Sequence, residues 1–259
     1  MLSDITAATR GRPTLSASRP LSASPDPASQ AAGARPPFDA ALRGYTMRTL
    51  GPFFREGPCL QVGCAQGDQT ALLEDRFPDL TVVEAAPAFL LLAADKASPR
   101  VQFVQSLIED FETDRRFETI LLAGVLDDVA DPVAALGHLG RLLTPSGRLF
   151  VVTPNAEAAS RRIEVKMGVL PDLETPGDAG AAGGCRRVYR LDTLTRDARL
   201  AGLNVAATGG IFFKPLASAQ FDQGGPLIGE AFMEGCYELG REHPTFCASI
   251  YLIAERRGA

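Results

Sequence analysis

The stretch Cys59-Leu60-Gln61-Val62-Gly63-Cys64-Ala65-Gln66-Gly67-Asp68 joins a short apolar run to two closely spaced glycines. A helical pattern beginning at Ala71 follows, so the segment predicts a strand that turns abruptly into a helix. Such a turn directs free backbone N–H groups and the positive end of the helix at whatever lies beside it. Gly63 and Gly67 suit this turn, because glycine adopts positive φ and allows a ligand to approach the backbone.

The next predicted strand indicates what the turn binds. Leu80-Thr81-Val82-Val83-Glu84 is an apolar run that ends in a carboxylate, about 20 residues beyond the first glycine, where dinucleotide-binding folds place the acid that binds ribose. A tight turn without a ligand is the alternative that the glycines alone leave open. The combination of the glycine loop with Glu84 favours a nucleotide-like ligand.

Length and composition exclude several classes of protein. The chain has 259 residues and a net charge of −5, so it can bury a large core and carries no general basic surface for nucleic acid. No apolar run approaches the roughly 20 residues of a membrane helix. The five cysteines are scattered and there are two histidines, which predicts reduced thiols, a cytoplasmic location and no metal site. We expect no nucleic-acid or membrane partner and leave a homodimer open.

The chain divides into a tail and one domain. Residues 1–36 are rich in Ala, Ser, Pro and Arg and predict a disordered tail, because they cannot bury enough apolar surface to offset the entropy of ordering. The domain is predicted to span residues 37–259. Its first helix has Phe38, Leu42 and Tyr45 on one face, ends near Gly51-Pro52 and is expected to lie over the ligand crevice.

Strands then alternate with helices. This alternation predicts an α/β fold, with a Rossmann-like doubly wound sheet of about seven mostly parallel strands. Two long connections, residues 155–189 and 214–244, interrupt the pattern. Insertions of this length inside a compact domain are usually lids or binding loops, so we expect them to form the walls of an acceptor pocket. Within that wall we place the strand end at Phe212-Phe213-Lys214 and a helix near Phe232 and Tyr237.

With these features the chain resembles the class I S-adenosylmethionine-dependent methyltransferases, from about Phe38 to Arg257. The motifs that carry the resemblance are the glycine loop, Glu84, Leu126–Pro132 after the fourth strand and Arg141–Leu149 before the fifth. Three more segments are similar to a bacterial subgroup that acts on small molecules: Pro154-Asn155-Ala156, Arg187-Val188-Tyr189 and Gly209–Leu216.

The resemblance implies S-adenosylmethionine as the cofactor and assigns its contacts residue by residue. Glu84 would hold both ribose hydroxyls, and Arg48 would either pair with the cofactor carboxylate or remain a solvated charge. Gln61 and Ala65 stand where relatives have an acid and a glycine. The implied cofactor-binding residues are Tyr45, Arg48, Gln61, Gly63, Ala65, Gly67, Glu84, Ala85, Ser106, Leu107, Ile108, Ala123 and Gly124.

Two departures from the family pattern concern the catalytic residues. Relatives have a histidine after the fourth strand where this chain has Leu126-Asp127-Asp128, and another where it has Cys185. Asp128 is the candidate base or amine-binding residue, with a helix-entry or surface role as the alternative. Tyr189 is the candidate for orienting the acceptor, with packing against the lid as the alternative.

The leading hypothesis is transfer of a methyl group from S-adenosylmethionine to an O or N atom of a small metabolite. Because in-line attack on a sulfonium needs chiefly proximity and alignment, the missing histidines do not exclude it. They motivate the rival hypotheses that the bound cofactor is itself cleaved or cyclised, or is bound without turnover. A nicotinamide-dependent oxidoreductase is disfavoured, since Asp68 stands where dinucleotide folds need a third small residue.

Overall fold

A computed structural model of the chain describes residues 37–176, 185–223 and 228–257. The predicted tail, residues 1–36, lies outside this part, as do residues 177–184 and 224–227 of the two predicted insertions. The described residues form a seven-stranded sheet in the order β3-β2-β1-β4-β5-β7-β6. The predicted Rossmann-like fold class is therefore confirmed.

The sheet is parallel except for its last strand. β7 runs antiparallel to both β5 and β6, whereas the pairs β1–β2, β2–β3, β1–β4 and β4–β5 are parallel. The strands are β1 (Cys59–Val62), β2 (Leu80–Glu84), β3 (Gln102–Gln105), β4 (Phe117–Ala123), β5 (Leu143–Pro154), β6 (Leu203–Phe213) and β7 (Cys247–Arg256).

Helices connect the strands, and both insertions are partly helical. The connecting helices are α1 (Pro37–Leu50), α2 (Asp68–Glu74), α3 (Pro87–Lys96), α4 (Pro132–Leu142) and α6 (Leu191–Leu200). The first insertion contains α5 (Ala159–Lys166), and the second contains α7 (Ser218–Gln223) and α8 (Glu230–Glu242). α8 contains Phe232 and Tyr237, as predicted, and its N-cap is Gly229.

The core consists of two layers, one on each face of the sheet. Alternate residues of the central strands point to opposite faces, so Ile120 and Leu122 belong to one apolar cluster and Leu121 to the other. The first cluster includes residues of α4 and α6, and the second includes residues of α1, α2, α3 and α8. Burial on both faces explains why these strands read as continuous apolar runs.

Aromatic rings attach α1 to β6 and to the second insertion. Phe212 is 1% exposed and has a φ of +66°, an unusual value for a bulky side chain. The ring centroids of Phe38 and Tyr45 lie 5.3 and 5.2 Å from that of Phe212, and Tyr45 stacks on Tyr237 at 4.7 Å. These contacts hold Phe212 in its strained conformation and fix α1 against α8.

Within the described ranges, none of the helices has the length and apolar character needed to cross a membrane.

Two glycine substitutions test the packing between β6 and β7. A Cβ atom on Gly210 would lie 2.2 Å from the Pro244 carbonyl oxygen, so we expect Gly210→Ala to lower the free energy of unfolding by about 2 kcal/mol or more. Gly235 lies inside α8 with no atom within 4 Å of the added Cβ, so Gly235→Ala should raise stability by about 0.5–1 kcal/mol. Urea unfolding measures both changes. Equal effects in the two variants would contradict the described packing.

Candidate cofactor and acceptor site

The first four parallel strands end level with one another. Val62 at the end of β1 pairs with Val83 of β2 and Leu122 of β4, and Glu84 pairs with Gln105 of β3. The segments that follow these strands therefore meet at one edge of the sheet. They carry most of the predicted cofactor residues, and the structure brings these residues together.

The glycine loop has the left-handed backbone that its sequence predicts. Gly63, Ala65 and Gly67 have φ values of +78°, +46° and +86°. A Cβ atom on Gly63 would lie 2.3 Å from Cγ2 of Val125, and one on Gly67 would lie 2.8 Å from Cα of Ala93. Any larger residue at either position would both clash with these neighbours and have to adopt an unfavourable positive φ. Ala65 adopts positive φ despite its side chain, at an energetic cost that the surrounding contacts must offset.

Glu84 organises this loop through its carboxylate. Oε2 accepts hydrogen bonds from the backbone N–H groups of Cys64 (2.9 Å) and Ala65 (3.3 Å), and Oε1 accepts from that of Ala86 (2.9 Å). The side chain is buried, and burial together with the Glu84 charge raises the pKa of the Cys64 thiol to about 12. Oε2 also accepts from the Cys64 thiol (3.6 Å), so three donors bond to Oε2 and one bonds to Oε1. Oε1 therefore has one acceptor position left, which is enough for one ribose hydroxyl, whereas the resemblance implies that Glu84 holds both hydroxyls.

Two features at the ends of β1 and β4 leave capacity for a ligand. Gln61 is buried and donates from Nε2 to the Gly63 carbonyl (3.0 Å), while its Oε1 has no hydrogen-bond partner in the part of the chain that the structure describes. Gly124 has a φ of +66°, and no atom lies within 4 Å of the position that a Cβ would occupy. Ala123, which precedes it, is partly buried. The crevice therefore has open space at Gly124 and a hydrogen-bond acceptor, Oε1 of Gln61, that a ligand can use.

The ends of β2 and β3 form the other side of the crevice. Leu107 is 38% exposed, so its apolar side chain is accessible to a ligand at the end of β3. Ser106 donates from its backbone N–H to the Glu84 carbonyl (3.2 Å). Ile108 lies in the core and Ala85 is partly buried. Leu107 and Ser106 are thus the accessible residues of this segment, and Ile108 packs into the core beneath them.

The two predicted residues of α1 face α8 instead of the glycine loop. Arg48 forms an ion pair with Glu234 (2.6 Å) and lies 4.4 Å from the ring centroid of Tyr237, on which Tyr45 stacks. A different arginine of α1 reaches the loop. Arg43 pairs with Asp68, the first residue after Gly67, at 3.3 Å.

Sequence reasoning missed Arg43, because the helical phase of α1 relative to the loop is set by the contacts with Phe212. The feature of the sequence that could have indicated Arg43 is Asp68, the acid that follows the glycine loop. An acid at this position can stabilise a cation from another element.

The loop after β4 carries the acid–base candidate. Asp127, Asp128 and Cys185 place their side-chain oxygen or sulfur atoms within 4.8 Å of one another. Partial desolvation, and then the neighbouring Asp127 charge, raise the pKa of Asp128 to about 6. Burial also raises the pKa of Asp127, which is 8% exposed. This pair of carboxylates holds protons more tightly than isolated acids do.

The first insertion folds back onto this loop. The backbone N–H of Arg186 donates to the Asp127 carbonyl (3.0 Å), and the guanidinium of Arg187 donates to the carbonyls of Leu126 (3.1 Å) and Val129. These contacts bring Cys185 beside the two aspartates. The arginines bind backbone carbonyls here, so they do not neutralise the carboxylates through direct ion pairs.

Tyr189 lies in the core, which does not fit the predicted role of orienting an acceptor. Its side chain is 2% exposed, and its hydroxyl donates to Asp197 (3.2 Å). Burial raises the pKa of the Tyr189 phenol. The Tyr189 carbonyl accepts from the Ala156 N–H (2.8 Å), which joins the two ends of the first insertion. The side chain therefore supports the packing, and this corrects the catalytic assignment.

A groove of about 400 Å³ opens where the two insertions meet. Both predicted insertions contribute to its lining, and of the four aromatic residues named for the wall it contains Phe213, whereas Phe212 and Tyr237 are buried and Phe232 contacts Phe221. The groove is lined mainly by Ala159, Ile163, Phe213, Leu239, His243 and Phe246.

A family model described as "Methyltransferase domain" matches residues 37–208, more than half of the chain. The trans-aconitate 2-methyltransferase of Escherichia coli is 32% identical over 96 residues, which is 36% of this chain and 38% of that protein. The match thus spans well under half the length of this curated relative.

Solved structures share the fold at low sequence identity. An S-adenosylmethionine-dependent methyltransferase from Mesorhizobium loti superimposes with a TM-score of 0.59 at 14% identity, over 84% of this chain and 99% of that one. The cyclase SpnF superimposes with a TM-score of 0.56 at 17% identity, over 85% of this chain and 84% of that one.

The extent of the family match, together with the glycine loop and Glu84 at level strand ends, shows that the chain belongs to the methyltransferase-domain family, whose methyl donor is S-adenosylmethionine.

Proposed function

We propose that this protein transfers a methyl group from S-adenosylmethionine to an oxygen or nitrogen atom of a small metabolite. The observation that carries the proposal is the Glu84 carboxylate bonded to the glycine loop, in a crevice with an acid pair, Asp127 and Asp128, at its β4 end. The small-molecule acceptor is supported by the name of the E. coli relative, a methyltransferase of trans-aconitate.

The residues at the strand ends fit the cofactor. When bound, S-adenosylmethionine supplies a methyl carbon on a positively charged sulfur. The free position on Glu84 Oε1 suits a ribose hydroxyl, and the unpaired Oε1 of Gln61 suits the cofactor ammonium group. Arg43, which lies beside the glycine loop and pairs with Asp68 through Nη1 (3.3 Å), suits the cofactor carboxylate. Leu107 offers an apolar surface for the adenine.

Asp128 is the residue that we assign to proton transfer. A nucleophilic O–H or N–H group loses its proton as it forms a bond to carbon, and a carboxylate with a pKa of about 6 can accept that proton near neutral pH. Buried Asp127 supports this role, since its charge contributes to the raised pKa of Asp128.

A second candidate function is cofactor-dependent chemistry other than methyl transfer. The same fold carries the cyclase SpnF, so the architecture is compatible with another reaction. Asp128 and Cys185 also occupy positions where relatives have histidines. Mass spectrometry of the products separates the two functions: S-adenosylhomocysteine indicates methyl transfer, and methylthioadenosine indicates cleavage of the cofactor.

The first prediction concerns cofactor affinity. Glu84→Ala removes a charge-assisted contact worth about 1.5–3 kcal/mol, so the affinity for S-adenosylhomocysteine should fall roughly 10- to 100-fold in calorimetry. Glu109→Ala, an exposed acid after β3, is the control and should bind like the parent. Equal binding by the Glu84 and Glu109 variants would remove the basis of the cofactor assignment.

The second prediction compares the two arginines of α1. Arg43→Gln should weaken cofactor binding about 10-fold, because it removes the cation beside the glycine loop. Arg48→Gln makes the same change in charge on the same helix but faces α8, so its affinity should stay within about twofold. The reverse order of effects in calorimetry would restore Arg48 as the cofactor partner.

The third prediction concerns pH. Turnover should rise as Asp128 deprotonates near pH 6, and Asp128→Asn should lose about 100-fold in turnover together with this pH dependence. Asp131→Asn is the matched control, since asparagine preserves the helix cap that Asp131 provides to Ala134. An Asp128 variant with the parent's rate and pH profile would leave proximity as the sole catalytic principle.

The same variant should be more stable than the parent at neutral pH. The folded-state pKa of Asp128 is raised, so its favourable contribution to stability is lost as pH rises through about 6. The melting temperature of Asp128→Asn should therefore exceed that of the parent at pH 7.5, with a smaller difference at pH 5. A lower melting temperature at both pH values would show that Asp128 has a structural role instead.

A further inference from the structure

Both insertions deliver a partly buried cation to the same region. α5 begins shortly after β5, and the N–H of Ser160 donates to the carbonyl of Lys214 (2.8 Å) at the end of β6. Arg161 follows Ser160 on α5. Desolvation lowers the pKa of Arg161 and that of Lys214. The positive charge of Arg161 lowers the pKa of Lys214 further, whereas the negative charge of Glu164 raises the pKa of both cations.

Backbone carbonyl oxygens hold the guanidinium of Arg161 in place, and no direct ion pair with a carboxylate does so in the described residues. Its Nη2 donates to the carbonyls of Leu173 (2.9 Å) and Thr175 (2.6 Å), while its buried Nε has no hydrogen-bond partner within residues 37–176, 185–223 and 228–257. Carbonyl oxygens orient the guanidinium but carry no net charge. A partly buried cation with an unpaired N–H is unfavourable unless an anion completes its contacts.

Two acids, Glu164 and Asp172, lie close enough to Arg161 for their charges to raise the pKa of its guanidinium, against the effect of desolvation. Asp172 accepts through Oδ1 from the backbone of Glu174 and from both the backbone and the hydroxyl of Thr175. No ion pair between Arg161 and a carboxylate is found in the described ranges. Lys214 differs in its hydrogen bonding, because it donates to the Ser218 hydroxyl (2.9 Å), whereas Nε of Arg161 finds no acceptor among the described residues. Arg161 is therefore the cation with capacity for an external anion.

Arg161 also lies on the acceptor side of the crevice. The side chain of Cys185 acts electrostatically on Arg161, and its sulfur lies within 4.8 Å of the carboxylate oxygens of Asp127 and Asp128, so the arginine and the acid pair share Cys185 as a neighbour. An acceptor that reaches Asp128 can thus place a second polar group near Arg161. A guanidinium fork matches the geometry of a carboxylate.

From these contacts we infer that Arg161 binds a carboxylate group of the methyl acceptor, so that the acceptor is a small organic acid. The inference rests on the proposed function, because it names the class of acceptor for the same site. Arg161 is a binding residue in this account, and Asp128 remains the proton acceptor.

The test uses matched acids and amides as probes. Parent protein saturated with S-adenosylhomocysteine is titrated with benzoate, benzamide, glutarate and glutaramide, and binding is followed by thermal shift and calorimetry. We expect at least one acid to bind at least 10-fold more tightly than its amide. Arg161→Gln should abolish that preference, and Arg161→Lys should retain part of it because the charge remains.

Arg162→Gln is the control on the same helix. Arg162 is exposed and pairs with Glu157 (2.6 Å), so this variant makes the same change in net charge away from the inferred site. It should keep the parent's preference for the acid. The melting temperature of each variant without ligands shows whether the contacts to Leu173 and Thr175 are needed for folding.

Two outcomes would overturn the inference. One is that no acid binds more tightly than its amide, and the other is that Arg161→Gln and Arg161→Lys both retain the preference. If S-adenosylhomocysteine binds in the same samples, such a result removes the acid-binding role and leaves the proposed function intact. Failure of the parent to bind S-adenosylhomocysteine would instead contradict the proposed function.

Discussion

The hydrogen bonds from the glycine loop to the Glu84 carboxylate are the interaction on which the cofactor site depends. Three alternate residues of the loop, Gly63, Ala65 and Gly67, have positive φ. Ala65 adopts this conformation at a cost in free energy, because its side chain makes positive φ unfavourable. The charged bonds from Cys64 and Ala65 to Oε2 offset that cost and hold the loop against the end of β2. Because β1 and β2 end level, one carboxylate can both shape the loop and face the ligand.

The acceptor side is built on a different principle. Asp127 and Arg161 each have a buried polar atom without a hydrogen-bond partner among the described residues, and desolvation raises the pKa of Asp128. Such groups reduce the stability of a fold, and they persist at sites where a bound molecule completes their contacts. The two insertions bring them together, since Cys185 returns to the β4 loop and α5 is bonded to the end of β6.

Packing against β6 connects the two sides of the site. The rings of Phe38, Phe212 and Tyr45 fix the rotation of α1, and Tyr237 on α8 completes the stack. This rotation directs Arg43 to the glycine loop and Arg48 to the acids of α8. A helix that precedes the first strand thus acquires a role at the cofactor site through contacts made far along the chain.

The sequence by itself determined the strand–helix alternation, the glycine loop and the position of Glu84, because these depend on local backbone preferences and on the period of apolar residues. It could not determine which side chains reach the site. Tyr189 looked available from its motif and is buried against Asp197, while Arg43 had no motif and lies beside the loop. Helix rotation and the path of each insertion decide these positions, and both are set by packing between residues distant in sequence.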